Sequence, residues 1–132
     1  MPSLTGVLET SLYVDDLDRA MRFYQQLFAF PLMVADGRIR ALAVRDGQVL
    51  LLFKRGASLG AEQFPTHDGS GPVHLAFSIP ESEYSAWEAR LQQLGIAIEE
   101  RKKWERGGRS LYFRDPDNHL LELVTPGCWP NY

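Results

Sequence analysis

Polar and apolar positions alternate along residues 6–14, placing Val7, Glu9, Ser11 and Tyr13 on one strand face and Leu8, Thr10, Leu12 and Val14 on the other. The period then lengthens. Leu17, Ala20, Met21, Tyr24, Leu27 and Phe28 recur at helical spacing, with Asp15 or Asp16 placed as the N-cap. Three strand-like pieces follow, at 32–35, 39–45 and 48–54, separated by Asp36-Gly37 and Asp46-Gly47, dipeptides suited to hairpin turns. The same order then returns. Residues 71–79 alternate with His74, Ala76 and Ser78 against Val73, Leu75, Phe77 and Ile79. A second helical stripe (Tyr84, Trp87, Leu91, Leu94) has Ser82 as a cap and Gly95 as a stop. Strands are expected at 96–100, 109–114 and 120–125, with turns at Gly107-Gly108 and Asp115-Pro116-Asp117-Asn118. The chain therefore reads β-α-β-β-β twice, joined by a Gly-, Ser- and Pro-rich connector at 55–70.

Three polar residues break otherwise strand-like patterns: Glu9, His74 and Glu122, the last inside Leu120-Leu121-Glu122-Leu123-Val124. An unpaired carboxylate is costly to bury, so such a glutamate faces water, is paired, or holds a cation. If the apolar strand faces meet the helices, Glu9 and His74 look the other way, into a cavity between two curved sheets. Carboxylate oxygens and a neutral imidazole nitrogen suit a divalent ion, and three protein ligands with open positions are the usual layout of a catalytic metal. Taken singly, a strand histidine is more often a hydrogen-bonded core residue, and a strand glutamate more often faces solvent. Spacing alone does not make the three converge.

Composition narrows the class. The 132 residues are 45% hydrophobic and 23% charged, ordinary for a soluble globular protein, with a formal net charge of −3. Arg101-Lys102-Lys103 is flanked by Glu99, Glu100 and Glu105, which argues against a nucleic-acid groove and reads as a solvated connector. Cys128 is the only cysteine, so no intrachain disulfide and no multi-thiolate zinc site can form, and the thiol is expected to be inert. No apolar run approaches the roughly 18 residues of a membrane helix, and residues 1–5 lack a signal core. A soluble, cytoplasmic protein is expected.

The stretch "ETSLYVDDLDRAMRFYQQLFAFPL" resembles the opening of vicinal oxygen chelate proteins, the superfamily of glyoxalase I, fosfomycin and bleomycin resistance proteins, and extradiol dioxygenases. The typical "V-x-D-L-x-x-A-x-x-F-Y" is supplied by Val14, Asp16, Leu17, Ala20, Phe23 and Tyr24, and Phe28-Ala29-Phe30 stands where "L-G-F" is expected. "GPVHLAFSI" and "LYFRDPDNHLLELVTPG" resemble the second module's ligand strand and its closing "F-x-D-P-D-G-x-x-x-E-L". The resemblance covers nearly the whole chain and is specific to the superfamily rather than to one reaction.

It implies an α+β fold of two βαβββ modules forming an open, barrel-like mixed sheet with helices outside. The whole chain would be one such domain, with module one at about 4–56, a linker at about 57–70 and module two at about 71–127. It places metal ligands at Glu9, His74 and Glu122, with Glu122 or Glu9 as catalytic base and one divalent ion (Mn, Fe, Zn, Ni, Co or Mg) as cofactor. The fourth position, a carboxylate in glyoxalase I, falls on Leu51 when "LLFKRG" is set against "ELVTPG". Leucine cannot ligate, which sets the chain nearer to fosfomycin resistance proteins and extradiol dioxygenases, although these typically carry histidine where this chain has Glu9. Tyr13 and Arg109 are candidate substrate contacts; Arg114 and a lid-like His67 are weaker ones, and His119 lies opposite Glu122 by alternation. The implied function is a metal-dependent lyase, dioxygenase or transferase acting on a small oxygen-chelating substrate, as a homodimer. The alternatives are a metal-free small-molecule binding protein of the bleomycin-resistance kind and a structural or regulatory dimer.

Overall fold

In the computed structural model, which describes residues 1–60 and 64–132, the Asp16 carboxylate accepts a hydrogen bond from Arg19 N–H and starts the first helix. Two compact units result, Met1–Ser70 and Gly71–Tyr132. The first contains β1 (Glu9–Val14), α1 (Leu17–Phe28), β2 (Leu32–Ala35), β3 (Ile39–Arg45) and β4 (Gln48–Lys54). Its sheet runs β1-β4-β3-β2, with β1 parallel to β4 and the other pairs antiparallel. The parallel pair follows from a helical crossover; the Asp-Gly turns can only make antiparallel neighbours. Leu17, Ala20, Tyr24 and Leu27 are the buried stripe of α1, and Leu12, Val14, Leu42, Leu50 and Leu52 are buried with them. A fully buried leucine contributes about 1.5–3 kcal/mol, so this layer is the main stabilising feature of the unit.

The second unit repeats the plan with β5 (His74–Ser78), α2 (Tyr84–Gln93), β6 (Glu100–Lys103), β7 (Arg109–Arg114) and β8 (Leu120–Val124). Its order is β5-β8-β7-β6, again with one parallel pair, β5 and β8. The fold class expected from the sequence, α+β with two βαβββ modules, is the one found.

Several boundaries differ from the sequence reading, for identifiable reasons. β1 begins at Glu9; Val7 and Leu8, expected inside it, are exposed. Ser82 does not cap α2. It sits within a 3-10 turn at Glu81–Glu83, and the cap position belongs to Glu83, which makes no side-chain capping bond. The strand expected at 96–100 starts only at Glu100, because the Ile96 N–H closes the end of α2 on the Leu91 carbonyl. Arg101-Lys102-Lys103 is accordingly no connector but the edge strand β6, set in register with β7 by the turn that bonds Trp104 N–H to the Gly108 carbonyl. An edge strand exposes its side chains and tolerates charge, which also discourages strand-to-strand association. Of the connector at 55–70, residues 61–63 lie outside those described. Among the described residues, no helix is long and apolar enough to cross a membrane.

Candidate metal centre

Register turns the odd glutamate of β8 into part of a constellation. His74 of β5 stands beside Leu120, and Ala76 beside Glu122; across β8, Tyr112 of β7 is the partner of Glu122. Alternation then collects His74, Glu122, Ser110, Tyr112 and Arg114 on one face of the second sheet. His74 Nδ1 lies 2.8 Å from the Leu120 carbonyl oxygen, and His74 Nε2 lies 3.2 Å from Glu122 Oε1. A carbonyl can only accept, so Nδ1 carries the proton, and the other ring nitrogen of a neutral imidazole offers a lone pair to the carboxylate. Two acceptors in contact call for a proton or a cation between them. A backbone carbonyl that fixes the tautomer of a histidine is also the usual outer support of a metal-bound imidazole.

Glu122 is buried (6% exposed), whereas the His74 side chain is 47% exposed, so the pair is open to solvent on the imidazole side. The Ser110 hydroxyl donates to Glu122 Oε2 and accepts from Trp104 Nε1–H at 2.8 Å. Burial, then the charge of Glu122 and a hydrogen bond to it, hold the Tyr112 phenol above the ordinary tyrosine range, so it stays protonated and donates. Within the second unit, among the described residues, no third His, Cys, Asp or Glu joins the pair.

The remaining candidates fall in different places. Glu9 opens β1 of the first unit and is exposed. Tyr13 lies on the same strand face; its hydroxyl meets His67 Nδ1 at 2.6 Å, and its ring stacks on Phe53 at 5.7 Å. Burial, then the Asp68 carboxylate, raise the Tyr13 phenol, so it keeps its proton. His67 thus closes over the face of the first sheet, against Phe53 and Tyr13.

Arg109, expected as a substrate contact, is engaged elsewhere. It shares the helix-side face of β7 with Leu111 and Phe113, pairs with Glu81, and lies 3.9 Å over the Tyr84 ring. Arg114, two residues in phase with Tyr112, is the arginine on the His74 face, bonded to Glu99 at 2.8 Å. Tyr112 and Arg114 border a cavity of about 210 Å³ together with Glu99, Glu100 and Leu120. His119 is buried against Asp115 (Nδ1 to Oδ2, 2.7 Å) and secures the β7–β8 turn, consistent with its place opposite Glu122. Burial, then Glu122, push the Cys128 thiol up, in keeping with an inert cysteine. Leu51 is buried in an apolar cluster with Ala41 and Phe53, and Ser11 stands beside it as Ala76 stands beside Glu122. Sequence reading did not single out Ser110, Trp104 or Tyr112. Alternation along β7 could have grouped the first and last; Trp104 lies just past β6 and carries no local signal.

The model of the glyoxalase/bleomycin resistance protein/dioxygenase superfamily matches residues 6–123, and the chain belongs to that superfamily. Among curated proteins, the chain is similar to the metallothiol transferase FosB of Shouchella clausii, with 29% identity over 124 residues, 92% of this chain and 81% of that protein. Among crystal structures, it is similar to a lactoylglutathione lyase from Agrobacterium tumefaciens at 30% identity and a TM-score of 0.89, covering 97% of this chain and 98% of that one. The fosfomycin resistance protein FosX of Listeria monocytogenes, complexed with Mn(II) and sulfate, is similar at 26% identity and a TM-score of 0.71, covering 93% of this chain and 91% of that one.

Proposed function

We propose that this chain is a divalent-metal-dependent enzyme acting on a small substrate that offers neighbouring oxygen atoms, a lyase, dioxygenase or transferase of the glyoxalase–dioxygenase kind. The carrying observation is the pair itself: His74 Nδ1 is spent on the Leu120 carbonyl, while Nε2 and the buried Glu122 Oε1 confront each other at 3.2 Å. One imidazole nitrogen and one carboxylate oxygen fit a divalent ion, and Glu9 is the proposed third ligand, from the same chain or from a second copy in a homodimer. A bound Mn, Fe, Zn, Ni, Co or Mg ion would act as a Lewis acid toward a substrate oxygen.

The chain's own groups do the rest. Glu122 or Glu9 is the proposed base, since each is a carboxylate that can accept a proton from a bound substrate. Arg114 and the protonated Tyr112, on the His74 face, suit an anionic oxygen better than Arg109 does, because Arg109 faces the helix side. Tyr13 keeps a place as a substrate contact through its hydroxyl, in exchange with His67. A metal-dependent transfer is the variety that the FosB relative's name supports. Leu51 weighs against a lactoylglutathione-lyase reaction, since an apolar side chain occupies the place of the fourth carboxylate.

Metal analysis of untagged protein tests this reading. The wild type is expected to hold a single Mn(II) or related ion, and His74→Ala, Glu122→Ala and Glu9→Ala to lose it. Retention of wild-type metal content by all three variants overturns the site. A second reading, metal-free binding of a small apolar molecule, has support from the aromatic face of the first sheet, where Tyr13, Phe53 and His67 meet. It gains if the wild type takes up no divalent ion.

A further inference from the structure

Glu122 has two carboxylate oxygens, and the structure gives them different partners. Oε1 faces His74 Nε2, while Oε2 accepts the Ser110 hydroxyl proton. Ser110 is fully buried and has one proton to give, and it is aimed by a bond it receives from the Trp104 indole N–H. The direction of the chain is therefore determined: Trp104 can only donate, so Ser110 accepts there and must donate to Glu122. The indole is in turn fixed from outside by the Lys102 ammonium, 4.5 Å from its ring centre. Sequence reading gave Ser110, Trp104 and Lys102 no part in the site.

We propose that Ser110, oriented by Trp104, is a positioning residue that reserves Glu122 Oε2 and leaves Oε1 as the only carboxylate oxygen available to a cation at His74. This rests on the metal reading above and adds to it a ligation mode, one oxygen rather than two. A glutamate left without Ser110 swings both oxygens toward the ion or away from it, so the donor set loses its preset geometry. Outer partners of this sort typically account for about 10–100-fold in metal affinity. Tyr112, the cross-strand partner of Glu122 on β7, also hydrogen-bonds the carboxylate.

The test is Mn(II) affinity of the 132-residue chain, measured by calorimetry and by the paramagnetic resonance spectrum of the bound ion. Ser110→Ala is expected to weaken Mn(II) about tenfold or more and to alter the spectrum, while Ser110→Thr, which keeps the hydroxyl, restores both. Trp104→Phe keeps a ring beneath Lys102 but removes the N–H, and is expected to weaken Mn(II) by a smaller factor, at least about threefold. Circular dichroism checks folding, and if Ser110→Ala does not fold, Trp104→Phe decides the matter. Unchanged affinity and spectrum in folded Ser110→Ala or Trp104→Phe, with the wild type binding Mn(II), overturn the positioning role alone. A wild type that binds no divalent ion overturns the metal reading and this inference together.

Discussion

The two sheets share one plan and differ in what they present on the face away from the helices. In each, the fourth strand is parallel to the first and carries the central residue of that face: Leu51 in β4 beside Ser11, Glu122 in β8 beside Ala76. The third strand supplies Ala41 opposite Leu51 and Tyr112 opposite Glu122. The centre of the first face is consequently apolar, with Leu51, Phe53 and Ala41 packed among Tyr13, Ile39 and Val49. The second is a polar network of His74, Glu122, Ser110 and Trp104. The same backbone register therefore builds an apolar packing surface or a polar network according to the one residue at its centre. Helix ends differ as well: α1 is capped by Asp16 and stops at Ala29 in the left-handed region (φ 59), whereas α2 lacks a side-chain cap and stops at Gly95 (φ 69).

Exchanging the central residues tests the comparison most severely. Leu51→Glu places an unpaired carboxylate in the apolar cluster and is expected to lower stability by about 3 kcal/mol or more in urea unfolding at neutral pH. Glu122→Leu removes a buried charge and is expected to change stability by no more than about 1–2 kcal/mol while abolishing metal uptake. Equal costs for the two changes would show that the faces are not chemically distinct.

The helix ends give the next largest effects. A left-handed backbone is strained for any residue with a Cβ, so Gly95→Ala is expected to cost about 1–2 kcal/mol and Ala29→Gly to gain about 0.5–1 kcal/mol, both read as shifts of the denaturation midpoint.

Capping gives the smallest. The Asp16 carboxyl is held below its ordinary value of 3.8, first by the hydrogen bond from Arg19 N–H. A carboxyl whose folded pKa is depressed stabilises the fold above its unfolded pKa and loses that contribution as pH falls through the folded one. Asp16→Ala is therefore expected to be less stable than wild type at pH 7, with the gap closing as pH is lowered through and below the ordinary carboxylate range. Ser82→Ala, at a residue that caps nothing, is expected to stay within about 0.5 kcal/mol of wild type at every pH. A pH-independent Asp16→Ala gap would remove the capping explanation.

Most elements were legible because their signals are local. Leu17, Ala20, Tyr24 and Leu27 announce α1 without reference to the rest of the chain, and Asp46-Gly47 announces the β3–β4 hairpin. The failures have a common cause in competition from groups that the local pattern does not contain. Ile96 N–H is used by α2, so β6 starts late; Lys102 and Lys103 look like a connector until β7 is laid beside them. Arg109 and Arg114, five residues apart on one strand, fall on opposite faces by alternation, but which face holds His74 is set by the sheet: Arg109 lies over Tyr84 and Arg114 beside Tyr112.

By itself, the sequence determined the duplicated βαβββ plan, the helix faces, and the singularity of Glu9, His74 and Glu122, because periodicity and turn chemistry are properties of neighbouring residues. Only the tertiary structure decided that His74 meets Glu122, that its Nδ1 is committed to Leu120, and that Ser110 and Trp104 stand behind the carboxylate. Those contacts join residues between 6 and 48 positions apart. They depend on strand register, which backbone hydrogen bonds between distant segments set and no local pattern encodes.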